Sequence, residues 1–316
     1  MASVLWLALC IDRRWGEPPV AIHPVVWIGH YLKACGRVTV RCPPALAFVL
    51  GAVAWAVGAV VAGAMAWGLQ ALTLRQLALA IEQPGLHHGL AALGLIAAMA
   101  WLAKSMLSWR MLTDEVGAVE AALQQSLPAG RERLSWLVSR ATASLSESQV
   151  RESAIETLAE NLNDSVVAPI FWFVLLGLPG AAVYRFANTA DAMWGYRGTY
   201  RGQHWEWAGK FAARADDALS WLPARLTGLL LMAVTGHCGL GRLRREAGKT
   251  PSPNSGWPMA AMALALGVTL GKPGVYTLNA SGCAPQARDI CLAQKYASKA
   301  LYALVPIALS AIFFVT

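Results

Sequence analysis

The chain has 316 residues, of which 56% are hydrophobic and only 14% charged, with a net charge of +8 and a mean hydropathy of +0.45. Soluble globular domains carry about 25% charged residues, so the composition excludes an ordinary water-soluble domain and favours one helical membrane domain over residues 1–316. The cations lie between apolar runs, where membrane topology accounts for them, and no nucleic-acid partner is expected.

The N-terminal stretch, Met1 to Ile11, is apolar but lacks a basic leader, and Asp12, Arg13 and Arg14 follow it at once. It reads as a retained membrane-contacting segment. A spanning helix needs about 20 apolar residues. Runs of that kind are expected at Pro44–Leu69, Leu86–Ala103, Ser165–Tyr184, Leu219–Val234, a short fifth at Trp257–Gly271, and Ala300–Thr316. The third is interrupted by Pro169, Gly177, Pro179 and Gly180, and the fourth carries Pro223 and Arg225. Both are expected to be broken or re-entrant, because non-helical backbone at membrane depth survives only where protein or water satisfies it. Residues 104–164 are polar and predict about three amphipathic helices, with a turn at Pro128-Ala129-Gly130.

Lys and Arg number five in 13–42, six in 104–164, five in 185–218 and four in 236–256, against a single Arg75 in 70–85. The positive-inside rule puts 13–42 and 104–164 in the cytoplasm and 70–85 outside. The polar blocks at 140–164, 188–217 and 252–254 are expected to share the cytoplasmic side. Six cysteines stand at 10, 35, 42, 238, 283 and 291 without CxxC spacing, so six unpaired thiols are expected, with no zinc or dithiol redox motif.

The segment RESAIETLAENLNDS, residues 151–165, places Glu152, Glu156, Glu160 and Asp164 at every fourth position. On a helix they form one stripe about 18 Å long. Ser146 and Gln149 offer a capping box at its start. The stripe is either a solvated face or a site for a cation. Like charges at i,i+4 cost about 0.2–0.5 kcal/mol each, and Arg151 is the cation nearest in sequence. Further on, NTADAMWGYR (188–197) and GKFAARADDALSWLPARLTG (209–228) supply Asp191, Asp216, Asp217, Arg214 and Arg225. An arginine in an apolar run needs a partner or water. Arg225 is expected to pair with an acid of the AARADD block or with a substrate phosphate. SPNSGW, residues 252–257, reads first as a turn. Gly248-Lys249-Thr250 is no P-loop, since Leu243 stands where its first glycine would be. His23 reads on spacing alone as a capping or interface histidine.

In order along the chain, Asp12 with GEPPVAIHPVVWIG, ETLAENLNDSVVAP, NTADAMWGYR, AARADD, LPARLT and SPNSGW resemble the adenosylcobinamide-phosphate synthase family, CobD/CbiB, of cobalamin biosynthesis. The blocks run from residue 12 to the SPN turn, and their combination is far more specific than any one of them. Two departures stand out. Arg140-Ala141-Thr142 replaces the family's common Arg-Asp-Thr, so no role passes to an acid at 141, and Glu17 stands where Asp is usual.

The resemblance implies an all-α, multi-pass protein of the bacterial inner membrane with its active site facing the cytoplasm. It implies ATP-dependent amide ligation of a corrinoid, adenosylcobyric acid, with aminopropanol phosphate or a related amino alcohol, assisted by Mg²⁺. Glu156, Glu160, Asp164, Asp191, Asp216, Asp217 and Arg225 are the catalytic candidates, with Glu160 and Asp164 as metal ligands. Asp12, His23, Arg140, Asn161, Asn188, Tyr196, Arg197, Arg214, Ser252 and Asn254 are the substrate-binding candidates. Besides lipid, other late cobalamin-assembly membrane enzymes and a second copy of the chain are the partners it suggests. Competing readings are a non-enzymatic inner-membrane sensor, which a related branch resembles, and a transporter, for which the sequence lacks an internal repeat.

Overall fold

A computed structural model describes residues 1–237 and 239–315. Cys238 and Thr316 fall outside the described residues. The other five cysteines are all free thiols. Helices dominate, and the only strands among the described residues form two short hairpins, β1 (Thr199–Tyr200) with β2 (Gln203–His204) and β3 (Leu270–Lys272) with β4 (Tyr276–Leu278). Four helical stretches, Pro44–Glu82, Leu86–Gln125, Glu147–Trp194 and Ala287–Phe314, are long and apolar enough to cross a membrane. A fifth candidate is the helix pair Lys210–Leu219 and Trp221–Thr235, broken at Ser220. The chain divides into two compact units, residues 1–108, 168–219 and 308–316, and residues 109–167 and 220–307.

In the first unit lie α1 (Ala2–Trp15), α2 (Pro24–Thr39), α3 (Pro44–Glu82), α4 (Leu86–Ser105), α8 (Ala168–Trp194) and α9 (Lys210–Leu219). Its sidedness is that of a membrane protein. Along α3 the buried positions are small, Ala47, Gly51, Gly58, Ala59, Ala66 and Thr73, while Val53, Val60, Met65 and Trp67 are exposed. Small residues let helices approach closely where lipid is as apolar as the side chains. A Cβ on Gly58 would lie 2.2 Å from the Phe186 ring of α8, so only glycine permits this approach.

The interruption expected in the third apolar run is a real break. Gly177 takes φ 69°, and Pro179 follows inside α8. Gln70 of α3 accepts the backbone N–H of Leu178 at 2.8 Å, which satisfies a donor that lipid would leave bare. Beyond the break, α8 continues to Trp194, ten residues past the expected end at Tyr184, so most of the NTADAMWGYR block is helical. Trp194 is fully buried and donates to the Leu32 carbonyl at 3.2 Å.

The second unit contains α5 (Trp109–Gln125), α6 (Leu127–Leu134), α7 (Glu147–Leu162), α10 (Trp221–Thr235), α11 (Leu240–Ala247), α12 (Gly256–Leu266) and most of α13 (Ala287–Val315). Three helices fill the 109–162 stretch, as the sequence predicts. The turn falls at Ser126 rather than at 128–130, because Ser126 caps α6 and Pro128 sits in its first turn, where its missing N–H costs nothing. Both hydrogen bonds of the Ser146–Gln149 capping box are present. The expected fifth span is corrected. The helix is 11 residues, almost wholly buried, and ends at Gly267 with φ 69°. At 1.5 Å per residue it is about 16 Å long, too short to cross a bilayer. The chain then turns into the β3–β4 hairpin, Leu270–Lys272 paired with Tyr276–Leu278. Pro273 and Gly274 make its turn, closed by Val275 N–H to the Lys272 carbonyl at 2.9 Å. That is type II chemistry, with Gly274 at φ 73°.

Candidate functional site

In the second unit, α7 packs against α12 and the hairpin, and a polar cleft of about 200 Å³ opens beside it. Its floor carries Glu156, of which 5% of the surface is exposed. Arg140, from the loop before α7, donates to Glu156 Oε2 at 3.1 Å and also to Ser153 Oγ. Ser153 directs its own proton to the Gln149 carbonyl, so the arginine is held from two sides. Glu156 Oε1 is buried and has no hydrogen-bond partner among the described residues. Glu160 and Asn161 line the wall, and Lys272 and Tyr276 reach in from the hairpin. Burial, and then the Glu156 carboxylate nearby, push the Tyr276 phenol well above its usual range, so it stays a protonated donor.

The acidic stripe is therefore not a uniformly solvated face. Its most buried charge, Glu156, is offset from outside the helix. Arg140 meets Glu156, while Arg151 turns away to grip Glu120 with two nitrogens, at 2.8 and 3.0 Å, and Glu147 at 2.7 Å. Four sequence-predicted residues, Arg140, Glu156, Glu160 and Asn161, come together here. Lys272 and Tyr276 are missed by the sequence reading. Ala141 is exposed, and the loop supplies its arginine to the cleft without an acid at that position.

Asp164 is placed differently. Residues Asn163–Val167 form a π-turn, so the strict one-turn spacing from Glu160 fails, and Asp164 is not among the residues lining the cleft. Asn163 donates to it at 2.7 Å and accepts from Thr227 of α10 at 3.1 Å. π-bulges concentrate at functional sites.

Arg225, also on α10, has partners other than the expected carboxylate of the AARADD block. It donates to the Trp221 carbonyl and to Asn254 Oδ1, both at 2.8 Å, and to the Pro253 carbonyl at 3.1 Å. Its guanidinium lies 4.3 Å from the Trp221 ring and 5.1 Å from that of Trp257. Cation–π faces and neutral acceptors give a planar cation in apolar surroundings partners for its ring faces and its N–H donors. Ser252 Oγ accepts the N–H groups of Asn254 and Ser255, so the SPN block is a turn pinned by Arg225.

The remaining predicted residues belong to the first unit. Asn188 of α8 donates to Asp216 of α9 at 3.5 Å, which joins the NTAD and AARADD blocks. Asp191, Asp216 and Asp217 are each engaged by neighbours. Arg197 and Arg214 are exposed. The Tyr196 ring stacks on Tyr200 at 3.7 Å, and burial followed by that neighbour's hydroxyl raises its phenol to about 12.

Asp12 and His23 meet a residue to which the sequence alone gives no role. Lys104, at the end of α4, is fully buried, 2.9 Å from Glu17 and 3.4 Å from Asp12. His23 Nδ1 accepts from Val25 N–H at 3.2 Å. The proton is thus on Nε2, which donates to Glu17 at 3.0 Å. The capping role expected of His23 is present, and a place in an ion cluster is added to it.

Comparison with known proteins identifies the lineage. A family model described as CobD/Cbib protein matches residues 5–299. The probable cobalamin biosynthesis protein CobD of Methanothermobacter thermautotrophicus is 40% identical over 289 residues, which cover 88% of this chain and 86% of that protein. Its counterpart in Pyrococcus furiosus is 39% identical over 295 residues, 93% of each chain. The cobalamin biosynthesis protein CobD of Chromobacterium violaceum is 41% identical over 276 residues, 86% of this chain and 82% of that one. No solved structure matches. A family match over nearly the whole chain, with relatives of this identity and coverage, means that the protein belongs to the CobD/CbiB family and has a role in cobalamin biosynthesis.

Proposed function

We propose that the protein is an amide ligase that joins adenosylcobyric acid to aminopropanol phosphate, or a related amino alcohol, at the expense of ATP. The observation that carries this reading is the cleft beside α7. It holds cations (Arg140, Lys272), carboxylates (Glu156, Glu160) and an amide (Asn161), the groups needed to handle phosphate, amine and developing charge together. An acyl phosphate is the reasonable route. A propionate oxygen attacks the γ-phosphorus and ADP leaves. The amine then attacks the acyl carbon, phosphate leaves, and the amine's proton passes to a carboxylate. Arg140 and Lys272 would hold phosphate oxygens, and Glu156 is the buried carboxylate placed to take the proton.

Among the described residues no group of three or more His, Cys, Asp or Glu could cage a metal. Mg²⁺ does not need such a cage, since it takes one or two carboxylates together with phosphate oxygens and water. Glu160 on the cleft wall fits that demand, while Asp164, set aside by the π-turn, is not among the cleft's lining residues. Bound there, Mg²⁺ would neutralise phosphate charge. The test is incubation of the detergent-purified protein with adenosylcobyric acid, ATP, Mg²⁺ and aminopropanol phosphate. One ADP per corrinoid amide, seen by mass analysis, is the expected result. ATP left intact with the corrinoid unmodified would remove the ligase reading.

We further propose the bacterial inner membrane as its place, with the polar blocks facing the cytoplasm. The support is the density of Lys and Arg between the apolar runs. In a cysteine-free background, Arg201→Cys should resist an impermeant thiol reagent applied to intact cells and react once the membrane is opened. Labelling from outside would overturn this orientation.

A further inference from the structure

We infer that the α7 cleft is a subsite for a small zwitterion carrying a primary ammonium and a phosphate, and that Lys272 and Tyr276 of the β3–β4 hairpin are ligand-binding residues. The inference rests on the ligase reading and deepens it by assigning one substrate, and each of its ends, to named side chains.

Charge is the first argument. The cleft presents two cations, Arg140 and Lys272, against two carboxylates, Glu156 and Glu160. A cleft enclosing a whole nucleotide triphosphate would call for a surplus of cations, and an all-protein metal cage for a surplus of acids. Mixed signs in one small space suit a ligand that itself carries both.

Size is the second. At about 200 Å³ the cleft falls below the roughly 300–1,000 Å³ of pockets that bury drug-sized ligands. A phosphorylated amino alcohol fits whole, whereas a corrinoid or a nucleotide would reach the cleft only with its reacting propionate or terminal phosphate.

The third argument is an unmet hydrogen bond. Only 5% of Glu156 is exposed, and its Oε1 has no donor among the described residues. A buried acceptor left unpaired costs about 1–3 kcal/mol, and an ammonium entering the cleft would satisfy it. Arg140 already holds the other oxygen, Oε2, so the carboxylate is oriented with Oε1 presented. The opposite end is then set by Lys272. It is exposed at the hairpin rim, where it meets a phosphate at the cleft mouth at little cost in desolvation. The Tyr276 phenol, kept protonated by burial and by Glu156, lines the same cleft as a further donor. With the amine on Glu156 Oε1, the carboxylate that orients it is also the one that can take its proton.

The test uses the full-length protein in detergent and O-phosphoethanolamine, which carries both groups on two carbons, in titration calorimetry at low salt. Ethanolamine and inorganic phosphate are the single-ended controls. The expected result is saturable binding of phosphoethanolamine, at least tenfold weaker binding of either control, and at least tenfold weaker binding in Lys272→Met. Tyr276→Phe should weaken it by a smaller factor. Glu156→Gln should lose the preference over inorganic phosphate. Because that variant alters a buried pair and can fail to fold, the exposed Lys272→Met is the deciding one. No binding to the folded protein, or equal binding by Lys272→Met, overturns the inference. The ligase reading is separated by assaying the same preparations for product. Product with an unchanged amine KM in Lys272→Met sinks the subsite and leaves the ligase. Lys272-dependent binding in a preparation that makes no product sinks the ligase and leaves the subsite.

Discussion

Arg140→Met is expected to cost the protein both stability and activity, and a second substitution should separate the two losses. The Arg140 and Glu156 side chains are 19% and 6% exposed at 3.1 Å. Removing one partner of a buried pair leaves a bare charge, at about 3–5 kcal/mol. Thermal unfolding in detergent should therefore drop by several degrees in Arg140→Met. In Arg140→Met/Glu156→Met both charges are gone and the volumes are roughly kept, so most of the stability should return. On the proposed ligase reading activity should not return, because the double variant lacks both the carboxylate assigned to take the proton and the cation assigned to phosphate. A charge-assisted hydrogen bond is worth about 1.5–3 kcal/mol, so at least a tenfold loss of turnover is expected even when folding is restored. Activity recovering in parallel with stability would show that the pair only holds the loop to α7.

The membrane character of the fold is legible in the sequence because it needs only local information. Long uncharged runs mark α3 and α4, and the capping box marks the start of α7. Features decided by distant partners are not legible in this way. The run Trp257–Gly271 has the composition of a short span, and short apolar runs do not separate buried helix, strand and span by pattern alone. The hairpin that carries Lys272 and Tyr276 begins inside that run. The break at Gly177 is visible as glycine and proline, but the group that satisfies the freed Leu178 N–H is Gln70, 108 residues before it. The acidic stripe marks a place where charge must be offset. Its offset, Arg140, sits 16 residues from Glu156 across a loop, beyond the reach of helical periodicity. Arg225 stands out in the sequence as a cation needing company, and only packing shows that indole faces and the SPN turn provide it.

Lys104→Met should be the most damaging single change in the first unit. Lys104 has no exposed surface, and the Asp12 side chain is 1% exposed. With the ammonium gone, Glu17 keeps His23 as a donor, and Asp12 loses a cation 3.4 Å away. The same scale of about 3–5 kcal/mol applies, enough to lower the yield of folded protein as well as its melting temperature. The pH dependence tells this apart from a simple packing defect. Burial raises the Glu17 pKa, but hydrogen bonds from His23 and Lys104 and the lysine's charge outweigh it, so the folded value lies below the ordinary 4.5. A depressed carboxylate binds fewer protons folded than unfolded. Its stabilisation is complete above about 4.5 and fades as pH falls through the lower, folded value. Removing Lys104 removes much of that depression. The gap in stability between parent and variant should be widest near neutral pH and should narrow as the pH is taken below about 4.5, where the carboxylates gain protons in both. Unfolding midpoints of the two proteins in the same detergent, measured from about pH 7 downward, decide the matter. A gap that stays constant across that range would mean that Lys104 matters through the packing of its aliphatic stem and not through its charge.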